Sequence, residues 1–257
     1  MRRVPVLESS TTGTQRMSAL SWAEICGRAE LFHGDCLAVL PTLGTVDVVI
    51  TDPPYGVTSL DWDKRVAGWA DALRTRCLWV FGSLRFFMAQ PFPGWTYAQD
   101  IVWEKHNGSN FHADRFRRVH ELAVQFYQGD WKSLYKAPVT TPDAVRRTTR
   151  RKRRPAHTGS IDSAPFVSHD GGPRLQRTVI PVRSCHGYAR HPTQKPVDIL
   201  KPLIEYSCPP GGVVLDPFMG SGSTGVAALQ LGRRFVGIEI DSAYVAVARE
   251  RFDEETI

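Results

Sequence analysis

The chain has 257 residues, 42% hydrophobic and 23% charged, with 32 Lys and Arg against 26 Asp and Glu for a net charge of +6. That is ordinary for a soluble α/β domain able to bury a core, with room for a smaller inserted piece, and the charge permits a polyanionic partner without requiring one. An apolar run of membrane length and a secretory h-region are excluded; Cys26, Cys36, Cys77, Cys185 and Cys208 form no C-x-x-C, so a zinc ribbon or disulfide framework is not indicated and reduced thiols in the cytoplasm are expected.

Residues 1–28 read as a flexible N-terminal arm, most clearly Met1 to about Met17, which is rich in Ser, Thr and Arg. Ala29 to His33 is a short strand ended by Gly34-Asp35-Cys36, and Cys36 to Leu40 is a brief helix stopped by Pro41, with Asp35 placed to cap it. Val46 to Thr51 is apolar and β-branched and reads as a buried parallel strand. Asp52-Pro53-Pro54-Tyr55 follows. Two prolines end the strand, because neither donates to a ladder and each fixes φ. They leave a carboxylate, a rigid turn and an aromatic ring at a strand's carboxyl end, the edge where ligands sit in open α/β sheets.

Gly56 to Asp63 is a polar loop whose Trp62 either closes over a substrate or anchors the core. Lys64 to Arg76 has helical spacing through Val66, Trp69, Ala70 and Leu73, and Leu78 to Gly82 is a second buried strand. Trp95 to Trp103 and His120 to Tyr127 alternate as two antiparallel strands. Between them, Glu104 to Val119 carries Lys105, Asn107, Asn110, Arg115, Arg117 and Arg118, a basic loop facing nucleic acid or solvent.

From Asp130 to Ala189 Pro, Thr, Ser and Arg rise and periodicity fades; sixty such residues are too many for a plain loop. Arg146, Arg147, Arg150, Arg151, Lys152, Arg153 and Arg154 place seven basic residues in nine, either a solvated arm or a set of phosphate contacts. The region reads as an insert, 130–189, between two halves of one domain, 29–129 and 190–257. His191-Pro192-Thr193-Gln194-Lys195-Pro196 leads into a helix with Val197, Leu200, Leu203 and Ile204 on its buried side, which Pro202 should kink or break. Val213 to Phe218 is a buried strand. Met219 to Gly225 is a glycine-rich turn into the helix Val226 to Leu231, with Gly232 after it. Arg234 to Ile240 is the next strand, and from Ser242 a terminal helix turns Tyr244, Val245, Ala248 and Phe252 inward.

The chemistry follows from two strand ends. An exocyclic nucleobase amine is a poor nucleophile, its lone pair delocalised into the ring. Two acceptors aimed at its N–H bonds favour the pyramidal, reactive form: Asp52 supplies one and a prolyl carbonyl, that of Pro53, the other. Tyr55 offers a stacking face worth roughly 1–3 kcal/mol per base. A Pro-Pro turn with an Asp cap and a surface tyrosine is the plain alternative. Gly220-x-Gly222-x-x-Gly225 matches a dinucleotide fingerprint, but Asp216 just before it would repel a pyrophosphate and favours a cofactor carrying an ammonium and a sulfonium. Glu239, ending the next strand, is placed to accept bonds from ribose hydroxyls.

At these residues the sequence resembles the β-group DNA amino-methyltransferases, whose Asp-Pro-Pro-Tyr motif holds the target amine and whose Asp-Pro-Phe-x-Gly-Ser-Gly loop holds S-adenosylmethionine. The resemblance runs from Leu31 to Phe252 and is weakest in 130–189. It implies a Rossmann-like S-adenosylmethionine-dependent fold, circularly permuted, with a mixed sheet, the catalytic strand first, a target-recognition insert next, and the cofactor strand last. Leu31-Phe32-His33 would fill the strand position missing beyond Glu239. It implies Asp52, Pro53, Pro54 and Tyr55 as catalytic residues. It also implies cofactor contacts from Asp35, the Cys36 N–H, Thr193, Gln194, Lys195, Asp216, Pro217, Phe218, Gly220, Ser221, Gly222, Thr224 and Glu239. Arg115, Arg117, Arg118 and the 146–154 run would meet DNA.

The expected activity is methyl transfer to adenine N6 in a duplex, with the base flipped out at a cost of a few kcal/mol, in a cytoplasmic, nucleoid-associated bacterial or phage-encoded enzyme acting on double-stranded DNA without a metal, as a homodimer, within or apart from a restriction-modification pair. Cytosine N4 methylation on the same fold and a non-catalytic DNA-binding modification subunit are the alternatives, and Asp216 opposes a nicotinamide oxidoreductase. A Pro-Cys nucleophile, required for cytosine C5 chemistry, is absent, since Cys208 precedes its prolines.

Overall fold

The computed structural model describes residues 21–25, 27–56, 63–89, 91–108, 114–149 and 166–255. Met1 to Met17, Trp62 with its loop, Cys26, Asn110, and Arg150, Arg151, Lys152, Arg153 and Arg154 lie outside the described residues. The chain divides into two compact units, 1–137 with 178–257, and 138–177.

In the first unit, apolar β-branched stretches form strands buried on both faces. The strand from Val48 to Thr51 (β3) alternates: Val48 and Ile50 face one apolar cluster and Val49 the other. Cys77–Gly82 (β4) divides in the same way, with Trp79 and Phe81 on the first side and Leu78 and Val80 on the second. Ser21–Ile25 (β1), Ala29–His33 (β2), Thr96–Glu104 (β5), His120–Tyr127 (β6), Val179–Pro181 (β11), Val213–Asp216 (β12) and Arg234–Glu239 (β13) join them. Among the described residues these make one nine-stranded sheet in the order β1-β2-β13-β12-β3-β4-β6-β5-β11. It is mixed: β2 through β4 run parallel, β6 pairs antiparallel with β4 and β5, and β11 lies parallel to β5. β2 pairs with β13, His33 opposite Glu239, so an N-terminal strand fills the position next to the last strand as the permuted order requires.

Helices cover both faces. Val197–Ser207 (α3), Ser223–Gln230 (α4) and Ser242–Glu255 (α5) pack Ile199, Leu200, Val226, Ala248 and Phe252 on the first cluster. The short helices Cys36–Val39 (α1) and Leu84–Ala89 (α2) contribute Val39 and Phe86 to the second. After β3 the chain crosses to β4, whereas after β12 it crosses the other way to β13. The sheet therefore has a switch point between β3 and β12, which opens a crevice at their carboxyl ends.

The structure corrects several sequence expectations. Lys64 to Arg76 is a run of turns rather than a helix: Gly68 adopts φ +78°, which breaks helical continuity, and short bonds run from Asp71 N–H to the Gly68 carbonyl and from Ala72 N–H to the Trp69 carbonyl. Its helix-like spacing reflects Trp69, fully buried and set edge-on against Phe92 and Phe218. Ser21–Ile25, placed in the N-terminal arm from composition, is a strand antiparallel to β2. Pro202 neither ends nor splits α3, because its missing N–H costs only one bond in the second turn and Ile199, Leu203 and Ile204 are buried around it.

Among the described residues the second unit holds four short strands. Thr140–Thr141 (β7) pairs with Arg174–Leu175 (β10), and Arg147–Thr149 (β8) with Phe166–Ser168 (β9), both antiparallel. Strand-length alternation needs more than two or three residues to be visible, which is why this stretch shows no period. It lies inside the span 130–189 that composition marks out, while β11, within that span, belongs to the main sheet.

Candidate functional site

β3 and β12 are parallel neighbours, with Val49 opposite Leu215, so Asp52 and Asp216 emerge at the same edge of the sheet. The strands are tied at both ends: Val213 N–H donates to Asp47 Oδ2 at 2.7 Å, and Thr51 Oγ1 donates to Asp216 Oδ1 at 2.7 Å. Asp216 also accepts from Phe218 N–H at 3.1 Å and from Thr224 Oγ1 at 2.8 Å. It is 4% exposed, and burial pushes its carboxyl up to about 6 despite these donors. Asp216 therefore fixes the start of the glycine-rich turn as well as lining the cleft.

Two cavities meet there. The larger, about 280 Å³, is walled by Asp35, Pro54, Phe218, Gly220, Glu239 and Tyr244, with Cys36 and Pro217 also on its lining. The smaller, about 40 Å³, is walled by Asp52, Thr193, Gln194, Lys195, Asp216 and Ser221, with Thr224 behind. Both are lined by His191, Phe218 and Gly220, so they form one cleft.

On the larger side, Glu239 Oε2 accepts from Gly220 N–H at 2.9 Å and Oε1 from Asp241 N–H at 2.9 Å, and burial raises its carboxyl above the usual range. Asp35 is exposed and caps α1 through Leu37 N–H at 2.9 Å. Burial drives the Cys36 thiol to about 12, which keeps it protonated and inert. His191 stands edge-on to Tyr244 at 4.2 Å, and burial together with Lys195 pushes its imidazole down to about 4, so it is neutral near pH 7. Gly222, at φ +78°, turns the chain into α4. The turn is braced from α5 by Arg251, which is buried and donates to the Ser221 carbonyl at 2.9 Å and to Ser223 Oγ at 3.0 Å. Gln194 Oε1 accepts from Arg190 N–H at 2.8 Å and Ser221 Oγ at 3.3 Å, and Thr193 N–H donates to His191 Nδ1 at 3.2 Å.

The smaller side is an ionic cluster. Lys195 donates to Asp52 Oδ2 and, at 3.1 Å, to Glu121 Oε1; Lys105 reaches Glu121 Oε2 at 2.6 Å. The Tyr55 hydroxyl faces both Asp52 Oδ1 and, at 2.8 Å, Glu121 Oε1. With one proton it donates to one carboxylate at a time. Burial raises Asp52, while Lys195 acts against the rise and Glu121 adds to it. Burial alone would raise Glu121 as well, but Lys195 and Lys105 hold it at about 2. Burial opposes the charge on Lys195, yet Asp52 and Glu121 outweigh it and raise that ammonium. The Tyr55 phenol is pushed well above its ordinary value by burial and both carboxylates. Its ring packs at 5.0 Å on Phe86, and Arg65 Nε donates to the Tyr55 carbonyl at 2.8 Å, which holds the turn that Pro53, buried, begins.

The sequence motifs thus line one cleft, and Lys195, expected among the cofactor contacts, lines it and also pairs with Asp52. Sequence patterning does not single out Glu121 and Lys105 as a pair, because Glu121 heads an alternating strand where a charge reads as a solvent-facing position; the structure leaves its side chain 11% exposed. His191, Tyr244, Thr51 and Arg251 also gain roles only in the fold. Arg115, Arg117 and Arg118 are exposed between β5 and β6, beside Phe116, which is 99% exposed; Arg115 pairs with Asp114 at 2.6 Å. In the second unit Arg146 and Arg147 have exposed side chains, and their N–H groups donate to Asp170 Oδ1 at 2.6 Å and Ser168 Oγ at 3.0 Å. Among the described residues no helix is long and apolar enough to cross a membrane, and no group of three His, Cys, Asp or Glu is placed to hold a metal.

Residues 46–250 match the family described as DNA methylase, of the N6/N4 type. The chain is 31% identical over 231 residues to the protein YubD of Escherichia coli (strain K12), covering 87% of this chain and 89% of that one. It is 28% identical over 272 residues to the type II methyltransferase M.HinfI of Haemophilus influenzae, covering 87% and 68%. Solved structures that share the fold include M1.HpyAVI (TM-score 0.59, 23% identity, covering 88% of this chain and 98% of that one). The cytosine-N4-specific PvuII DNA methyltransferase also shares it (TM-score 0.59, 15% identity, covering 88% and 86%).

Proposed function

Because the chain belongs to the N6/N4 DNA methylase family, we propose that it transfers the methyl group of S-adenosylmethionine to adenine N6 in double-stranded DNA. The observation that carries this reading is the single cleft holding Asp52 at one parallel strand end and the glycine-rich turn with Glu239 at the others.

The cleft fits the cofactor. Its larger cavity is lined by carboxylates, Asp35 and Glu239, able to accept from hydroxyl and amino groups, and by the rings of Phe218 and Tyr244. Gly220 keeps its wall bare where a Cβ would stand 3.6 Å from the His191 ring. Asp35, Phe218, Gly220, Glu239 and Tyr244 would hold the nucleoside end, with Thr193, Gln194 and Ser221 toward the other. When bound, S-adenosylmethionine would supply an electrophilic methyl carbon to the amine held at Asp52, with its thioether as the leaving group.

Asp52 accepts from one amine N–H and the Pro53 carbonyl from the other, which localises the lone pair. The carboxylate, raised by burial, then takes up the proton that the methylated nitrogen releases. The Tyr55 phenol remains protonated and orients Asp52 through its hydroxyl. Stacking of the flipped base on the Tyr55 face, and phosphate contacts from Arg115, Arg117, Arg118 and the 146–154 run, complete the reading. Sequencing DNA from a methylation-deficient host that expresses the protein, with modified-base detection and nucleoside analysis, tests it. N6-methyladenine in a defined sequence is expected; N4-methylcytosine would place the chain with the other substrate class, and unmodified DNA would refute the proposal.

A further inference from the structure

We propose that Glu121 is a positioning residue that sets the charge on Asp52, acting through Lys195 and Tyr55. The inference rests on the reading of Asp52 as acceptor of the amine. Its basis is geometric: one carboxylate on β6 gathers the two groups that hold Asp52 and a third of opposite charge. Glu121 Oε1 meets Lys195 at 3.1 Å and the Tyr55 hydroxyl at 2.8 Å, and Oε2 meets Lys105 at 2.6 Å. Lys195 and the same hydroxyl close the ring on the two oxygens of Asp52. The side chains of Lys195, Glu121, Lys105 and Asp52 are 9%, 11%, 16% and 18% exposed, so water screens this ring poorly.

The ring holds two carboxylates and two ammonium groups and is neutral as a unit. Methyl transfer moves a positive charge from sulfur to the amine nitrogen beside Asp52. With Asp52 ionised the ring as a whole sets no net charge against that cation; a site carrying Lys195 and Lys105 without Glu121 would oppose it. The remaining groups that face Asp52 are Asp216 from β12, also a carboxylate, and His191, which faces Lys195 and is neutral. Asp216, bonded to Thr51, Phe218 and Thr224, is unchanged in every variant compared below, so its charge cancels between them. The two sides of Glu121 make opposite predictions. Removing its charge leaves Lys195 to Asp52 alone and lowers the pH at which Asp52 ionises. Removing Lys105 leaves Glu121 less compensated and raises that pH. Lys105 is suited to this test because it lies on the far side of Glu121, over the Trp103 ring at 4.3 Å, and touches neither Asp52 nor the cleft.

The test reads both the carboxyl and the turnover. Aspartate-selective 13C labelling of the full chain, with the Asp52 signal assigned by its loss in Asp52→Asn, gives the Asp52 titration in wild type, Glu121→Gln and Lys105→Gln without DNA or cofactor. The expected result is a midpoint moved down in Glu121→Gln and up in Lys105→Gln. Methyl incorporation from labelled S-adenosylmethionine into DNA of a methylation-deficient host should fall by roughly ten- to a hundredfold in kcat for Glu121→Gln. Cofactor affinity by equilibrium dialysis should change less than about threefold. The Glu121→Gln/Lys105→Gln double variant, neutral again, should recover much of the loss. If Glu121→Gln does not fold, the Lys105→Gln titration stands alone and its upward shift is required. An unmoved Asp52 midpoint in Lys105→Gln, or a double variant no better than Glu121→Gln, overturns the inference. Retained turnover in Asp52→Ala would instead overturn the reading of Asp52 itself, whatever the titrations show.

Discussion

Replacing Asp216 by Asn should change how stability depends on pH. In the folded chain burial lifts this carboxyl from 3.8 to about 6. A group whose folded value is raised contributes most to stability below its unfolded value, and that contribution is lost as pH climbs through the folded one. A shift of about two units corresponds to ~3 kcal/mol of stability lost between acid and neutral pH. By the same relation about half of it, ~1.5 kcal/mol, is lost between pH 5 and pH 8. Asn has nearly the same shape and no charge to bury. It keeps one carbonyl acceptor for the donors Thr51, Phe218 and Thr224, and its amide must face a hydroxyl turned to accept, at a pH-independent cost of about 1 kcal/mol. Urea unfolding of both proteins at pH 5 and pH 8 reads the titration, since groups that do not interact with Asp216 cancel in the difference. Asp216→Asn should gain about 1.5 kcal/mol on wild type between the two pH values. A difference that stays constant, or moves the other way, would show that Asp216 ionises normally and that the buried strand tip is not the strained acid described above.

Asp52→Ala should reduce methyl transfer by roughly 10³-fold or more while S-adenosylmethionine binding, measured by equilibrium dialysis, stays within a few-fold; the acceptor carboxylate and the large cavity lie on different strand ends. Gly225→Ala should cost about 1–3 kcal/mol in thermal unfolding, because its Cβ would overlap Phe252 Cζ and lie 2.8 Å from Phe235 Cδ1, with both rings in the core. A melting point like that of wild type would mean that α4 and α5 are looser than described. Neutralising Arg150, Arg151, Lys152, Arg153 and Arg154 should flatten the dependence of DNA affinity on salt by up to about 0.9 for each phosphate left without its counter-charge. An unchanged slope in filter binding would make the run a bystander.

The sequence by itself determined the strands and the motif ends. β3, β4, β12 and β13 are runs of Val, Ile, Leu and Phe buried on both faces, so they need no partner to be recognised. The prolines of Asp52-Pro53-Pro54 and the Pro217 and glycines that follow Asp216 stop β3 and β12 by covalent geometry alone, which is why Asp52 and Asp216 can be placed at strand ends without knowledge of the fold. Where local rules compete, the sequence misleads: the spacing of Val66, Trp69 and Leu73 looks helical, but Gly68 at φ +78° and the pull of Trp69 into the core override it. Only the tertiary structure decided which charges meet. Lys195 lies 143 residues from Asp52, and Glu121 lies 66 from Tyr55. In the extended chain each reads as a solvated polar side chain. Their pairing is created when the loop before α3 comes to the tip of β3 and β6 returns antiparallel beside β4, the next strand over. Burial then turns those ordinary charges into a coupled site, because water screens them from one another until the sheet has closed around them.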